Sequence, residues 1–225
     1  DPTGYGRIVR DDIGNMLCIT EEKDADDYTK QISEVNSGIM CIPTKWLNEA
    51  IAKLDNNNAQ GEYYLTDLIA QAVNQGMTID SVVCEDEMEV AGVNNRLQLA
   101  ELENHYQQMK ATDLMLSGVT LVDPSRVDIR GKLTTGQDVH VDINVIFEGT
   151  NILADNVEIG PNCIIINSTI AEGAVILANS IIENSEVGAA CTIGPYARLR
   201  PGSKLSAKAK IGNFVEIKNA NIGLG

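Results

Sequence analysis

The chain has 225 residues, 44% of them hydrophobic, enough for one or two domains with cores of their own. Its formal net charge of −15 argues against nucleic acid and anionic membrane surfaces as partners. No apolar run reaches the ~20 residues of a membrane-spanning helix, and no leader is expected, since the chain opens Asp1-Pro2-Thr3-Gly4.

Residues 1 to about 95 alternate apolar runs with helical patterns, which is α/β material. Met16-Leu17-Cys18-Ile19 and Gly38-Ile39-Met40-Cys41-Ile42 read as strands. Pro43-Thr44 then opens a helix with Trp46, Leu47, Ala50, Ile51 and Leu54 on one face. Asn56-Asn57-Asn58 is a loop. A second helix follows, capped by Thr66, with Leu68, Ile69, Ala72 and Val73 inward and Gly76 closing it. Ile79, Val82, Val83 and Cys84 suggest one more strand, and half of an α/β sheet is expected to be missing, because the 225 residues open without a strand–glycine loop–helix unit. Asn95 to about Ser117 is a polar helix with a thin apolar stripe, expected to be an arm between domains.

Beyond Pro124 the pattern changes to a period of six. Leu153, Ile159 and Ile165 are six apart; a step of five reaches Ile170; Ile176 and Ile182 follow, and a second step of five reaches Val187. From there Val187, Ile193, Leu199, Leu205, Ile211 and Ile217 keep the period without a slip. Four positions after each of these six stands a mostly small residue: Cys191, Ala197, Ser203, Ala209, Val215 and Asn221. A helix or a flat strand does not generate a six-residue period, whereas hexads forming the short sides of a parallel β-helix do. The array is expected to begin near Val119, to drop a residue at a corner where it slips, and to be still running at Gly225.

Three hexads make one coil, so residues eighteen apart stack. Arg200 and Lys218 are so spaced, and two stacked cations on an acidic chain would suit a phosphate; Arg198 and Glu216, likewise spaced, are expected to pair with each other. The cysteines Cys18, Cys41, Cys84, Cys163 and Cys191 are odd in number and lack metal-ligand spacing, so they read as free core thiols in a reducing compartment. His105 and His140 neighbour no candidate nucleophile and read as surface residues.

Several runs resemble one family: Pro2-Thr3-Gly4-Tyr5-Gly6-Arg7-Ile8, Glu21-Glu22-Lys23-Asp24-Ala25, Glu34-Val35-Asn36-Ser37-Gly38, Asn57 through Asp67, Gly92-Val93-Asn94-Asn95-Arg96, Gly194 through Gly202, and Gly212 through Lys218. It is the bacterial bifunctional N-acetylglucosamine-1-phosphate uridyltransferase / glucosamine-1-phosphate N-acetyltransferase family, and the resemblance covers the whole chain. It implies the C-terminal part of a Rossmann-like nucleotidyltransferase domain over 1–96, a helical linker over 97–117, and the N-terminal part of a left-handed parallel β-helix over 118–225 that trimerises. The chain is thus expected to be a middle fragment. The family's Gly-rich loop and an Mg²⁺-binding aspartate are expected before Asp1, and its general-base histidine and most of the acetyl-CoA site after Gly225, so no catalytic residue is expected within the chain.

The resemblance further implies that Gly6, Glu21, Asn36 and Asn94 hold UDP-N-acetylglucosamine, that Asn94 is also a ligand to Mg²⁺, and that Arg200 and Lys218 contact glucosamine-1-phosphate. These residue types fit: glycine admits close backbone approach, an amide bonds both ways to hydroxyl and N-acetyl groups, and an Asn oxygen suits a hard cation held mostly by phosphates. Thr66 stands both at a helix cap and at a position that faces the sugar, and both readings stay open. The implied activity is acetyl transfer from acetyl-CoA to glucosamine-1-phosphate, then uridyl transfer from UTP with release of pyrophosphate. It would serve peptidoglycan and lipopolysaccharide precursors in the cytoplasm, with the fragment inactive alone. The alternatives are a pyrophosphorylase for another sugar nucleotide and a trimeric sugar-nucleotide-binding scaffold.

Overall fold

A computed structural model describes residues 1–224, and the chain divides into two units, Asp1–Val93 and Asn94–Gly225. The array's continuation at Gly225 and the histidine expected after it lie outside the described residues.

The first unit is built on a hairpin. β1 (Arg7–Arg10) pairs antiparallel with β2 (Met16–Thr20), and the turn is held by Asp11, which accepts the backbone N–H of Asn15. Ile8, Met16 and Ile19 are buried together, and Ile69 of α2 (Asp67–Asn74) packs on them. α1 (Thr44–Ile51) precedes it and buries Ala50, while Trp46 Nε1 donates to Gln75 Oε1 at 2.8 Å. α2 ends as expected: Gly76 has φ +71°, and the N–H groups of Gly76 and Met77 close on Val73 and Ala72.

The expected strands at 38–42 and 79–84 do not form. Met40 and Ile79 still pack against the hairpin cluster, but Ile39, Val82 and Val83 are exposed. A buried strand needs a neighbour for its N–H and C=O groups, and no strand lies beside either run among the described residues. The runs keep single apolar anchors without the ladder.

The second unit is the hexad solenoid, of about six turns over 120–222, matching the parallel β-helix expected from the period and consistent with the left hand that the resemblance implies. Its parallel strands, most of two or three residues but two of nine (Val127–Thr135 and Val145–Leu153), form three faces. One stacks Val141, Ile159, Ile176, Ile193 and Ile211; a second Phe147, Ile165, Ile182, Leu199 and Ile217; a third Leu153, Ile170, Val187, Leu205 and Ile222. Every predicted hexad aliphatic from Leu153 to Ile217 is buried, ten of the twelve at 5% exposure or less, so the coils share one continuous core.

Both slips fall at the same corner, between the second and third faces. Asn167 and Asn184 turn it with φ of 43° and 44°, followed by the buried Ser168 and Ser185. Asparagine tolerates the left-handed conformation that most residues avoid. A third slip was not foreseen: Asn219, φ 47°, turns the same corner one coil on, so Ile222 pairs with Leu205 and the small position is Ala220 rather than Asn221. The shared signature, Ile-x-Asn-Ser/Ala-x-Ile/Val, stands in the sequence three times. In the last coil Val215 is exposed, because no further coil covers it among the described residues, and Asn221 is exposed because it faces outward like its stacked neighbour Lys204.

α3 (Arg96–Leu116), the helix read as an arm, is capped by Asn95, whose side chain accepts the Gln98 N–H at 3.0 Å. Ala111 is buried in the solenoid core, while Leu97, Leu99 and Leu116 are exposed. The strand Val127–Thr135 pairs on one side only, and α3 covers its open edge. The Gln107 amide accepts from the Ile129 N–H (2.9 Å) and donates to its carbonyl (3.1 Å), and Lys110 Nζ donates to the same carbonyl. Side chains of the helix thus stand in for a missing neighbouring strand.

Candidate functional site

In the first unit, the chain arrives at β1 through the Gly4-Tyr5-Gly6 loop and leaves β2 into Glu21-Glu22. Gly6 is buried with no room for a side chain: a Cβ there would lie 2.9 Å from Ile19 Cγ2 and 3.4 Å from both Glu21 carboxylate oxygens. The Asn36 N–H donates to the Gly6 carbonyl at 2.8 Å. The Asn36 side-chain oxygen accepts from the Gly38 N–H at 3.2 Å, leaving its amide N–H groups for other partners. Gly6, Glu21 and Asn36 are therefore brought together.

Thr66 joins them, and its cap reading is corrected. The residue has helical dihedrals and makes no side-chain cap bond; its buried hydroxyl donates instead to Glu21 Oε1 at 2.8 Å. Asp67 follows in an acidic neighbourhood. Burial, then repulsion from Asp55, Glu21 and Asp24, pushes its carboxyl above the usual range. Glu22 moves the other way, because the Arg7 guanidinium bonded to it holds its carboxyl low.

Asn94 lies in the second unit, exposed, its N–H donating to Gln98 Oε1 at 2.8 Å. Its side-chain oxygen could give a hard cation one ligand. Among the described residues no group of three or more His, Cys, Asp or Glu could hold a metal.

On the solenoid, the residues expected for the sugar phosphate stack as read: Leu199 pairs with Ile217, and the Arg200 N–H donates to the Ile217 carbonyl, setting Arg200 beside Lys218. The expected pairing of charges is corrected. Glu216 is bonded by Arg200 Nη1 at 3.2 Å, while Arg198 reaches toward Glu183 at 3.9 Å. Arg200 is thus not an unpaired cation. Long side chains reach diagonal neighbours across a sheet, and leaning toward Glu216 relieves repulsion from Lys218. The Arg200 side chain remains 37% exposed, so this pair is weak and open to competition by a stronger anion.

All five cysteines are free, but the core reading holds only for Cys163 and Cys191; Cys41 is exposed, and Cys18 and Cys84 are half-buried. Burial pushes the Cys163 thiol up to about 11, so it is unreactive. His140 is exposed. Residues with no role in the sequence reading include Arg7 and Glu22, although both stand inside quoted motifs.

The fold and the clustered loop define a hexapeptide-repeat β-helix protein joined to a hairpin-and-helix unit that gathers Gly6, Glu21, Asn36 and Thr66. A family model described as the GMPPB C-terminal domain matches residues 126–224, the solenoid. Over all 225 residues the chain is 55% identical to the protein named Bifunctional protein GlmU of Pseudomonas putida (strain GB-1), covering 50% of it. It is 53% identical to the proteins of that name from Marinobacter nauticus (50% covered) and Acinetobacter baylyi (49% covered). The resemblance seen in the motifs therefore extends from end to end: the chain is similar over its full length to the bifunctional GlmU proteins, and it spans about half the length of the curated relatives it matches. No helix of the described residues is long and apolar enough to cross a membrane.

Proposed function

We propose that the protein carrying this chain makes UDP-N-acetylglucosamine in two steps. Acetyl passes from acetyl-CoA to glucosamine-1-phosphate, and the N-acetylglucosamine-1-phosphate phosphate then attacks the α-phosphate of UTP, releasing pyrophosphate. The observation that carries this reading is the gathering of Gly6, Glu21 and Asn36 around one loop, in a chain similar along its whole length to proteins named as bifunctional.

In this reading the first unit binds and orients the sugar nucleotide. The Gly6 backbone lies against the sugar, the Asn36 amide bonds the N-acetyl or hydroxyl groups, and Glu21, held by Thr66, accepts from sugar hydroxyls. Asn94 would supply one oxygen to Mg²⁺, whose chemistry when bound is to offset phosphate charge. Arg200 and Lys218 bind the phosphate of glucosamine-1-phosphate, with the phosphate displacing Glu216 from Arg200. The solenoid assembles as a homotrimer, the setting is the cytoplasm, and the 225-residue chain alone performs neither step. A pyrophosphorylase for another sugar nucleotide is the second reading, because the family model that matches the solenoid carries a different description from the relatives.

The test uses the full-length protein with Arg200→Ala and, separately, Lys218→Ala. Acetyl transfer falls sharply while uridyl transfer and assembly persist. Unchanged KM and kcat for glucosamine-1-phosphate in both variants would make these cations ordinary surface residues.

A further inference from the structure

Arg7 is the only buried charged side chain among the described residues, at 2% exposure. Its Nη2 lies 2.7 Å from Glu22 Oε2, and its Nη1 donates to the Tyr5 carbonyl. The same Glu22 oxygen accepts the Gly4 N–H at 3.3 Å. With Asn36 on the Gly6 carbonyl, each of the three loop residues has a backbone group held. The neighbouring carboxylates divide the work: Glu22 faces this latch, and Glu21 receives Thr66 beside Gly6.

Stability alone accounts poorly for such a pair. A buried guanidinium is costly to desolvate, and replacing a buried ion pair with apolar groups is often neutral or stabilising. Here the Arg7 Nε also finds no acceptor among the described residues. What the pair does fix is the Gly4–Tyr5 backbone against Glu22, the chain neighbour of Glu21. A forked, planar guanidinium can bond Tyr5 and Glu22 together, which a single ammonium donor does less well.

We propose that Arg7 is a positioning residue. Through Glu22 it holds the Gly4–Gly6 backbone at the distance from Glu21 that an N-acetylated sugar of a uridine-diphospho-sugar requires. The proposal rests on the sugar-nucleotide reading of this loop, and a displacement of even ~1 Å at such a site is costly.

The test uses the full-length protein with Arg7→Met, Arg7→Lys and Glu22→Gln, and Gly6→Ala as the check on the site itself. Uridyl-transfer kinetics, calorimetric titration with UDP-N-acetylglucosamine and melting temperature are measured on each. Arg7→Met and Glu22→Gln should raise KM and Kd about tenfold with kcat and melting temperature little changed, and Arg7→Lys should recover part of the loss. If Arg7→Met melts early, Glu22→Gln decides, because that side chain is 30% exposed and its amide keeps an oxygen that can accept from Arg7. Binding lost only in step with melting temperature, or unchanged KM and Kd in Glu22→Gln while Gly6→Ala is impaired, overturns the positioning role. Unimpaired binding in Gly6→Ala instead overturns the sugar-nucleotide reading.

Discussion

Thr66 Oγ1 donates to Glu21 Oε1 at 2.8 Å across 45 residues of sequence. The bond ties the start of α2 to the end of β2 and fixes the carboxylate that faces Gly6. Replacing Thr66 with Val keeps the shape and removes the donor, at a cost of about 1 kcal/mol in stability. Serine should retain the bond. Chemical denaturation of Thr66→Val and Thr66→Ser, with sugar-nucleotide titration on both, checks this; equal affinity in the two variants would show the hydroxyl irrelevant to the site.

Gly6→Ala tests the closest approach. The added Cβ would meet Ile19 Cγ2 at 2.9 Å, so the loop or Ile19 must shift. Because Ile19 belongs to the small hairpin core, a stability loss of about 1–3 kcal/mol should accompany weakened binding. Thermal unfolding and titration on the same sample separate the two effects.

Asp67 carries a pH dependence of opposite sign to Glu22. The Asp67 carboxyl titrates above its unfolded value, so the folded state holds its proton longer, and stability falls as pH rises from the unfolded pKa through the folded one. The Glu22 carboxyl titrates below its unfolded value. Its contribution is present above the unfolded pKa and is lost as pH falls through the folded pKa. Asp67→Asn should therefore raise the melting temperature at neutral pH and not in strong acid. A gain of equal size at both ends would rule out charge as the cause.

In the solenoid, Ile193→Ala should cost about 2–5 kcal/mol, since this side chain is fully buried between two stacked coils. Corner residues answer differently. Asn184→Gly should be nearly neutral, while Asn184→Val, forced to φ near 44°, should cost about 1–2 kcal/mol. Denaturant titration of the three variants gives the ranking.

The solenoid is legible in the residues alone, because each hexad repeats one local problem. An aliphatic every six residues can be buried only by stacking, and the corner Asn-Ser or Asn-Ala pairs mark each dropped residue. Even the missed slip at Asn219 was legible, since Ile217 to Ile222 repeats the pattern of Ile165 to Ile170. The strands expected at 38–42 and 79–84 failed because apolar composition says nothing about whether a partner strand is present. The resemblance singled out Gly6, Glu21 and Asn36, but how they meet depends on the folded chain. Thr66 turned from helix cap to Glu21 donor, and Arg7 was carried inside to Glu22. Arg200 was paired with Glu216 instead of left unpartnered. These are choices among competing hydrogen-bond and charge partners of similar energy, and distance in the folded chain, not residue type, selects among them.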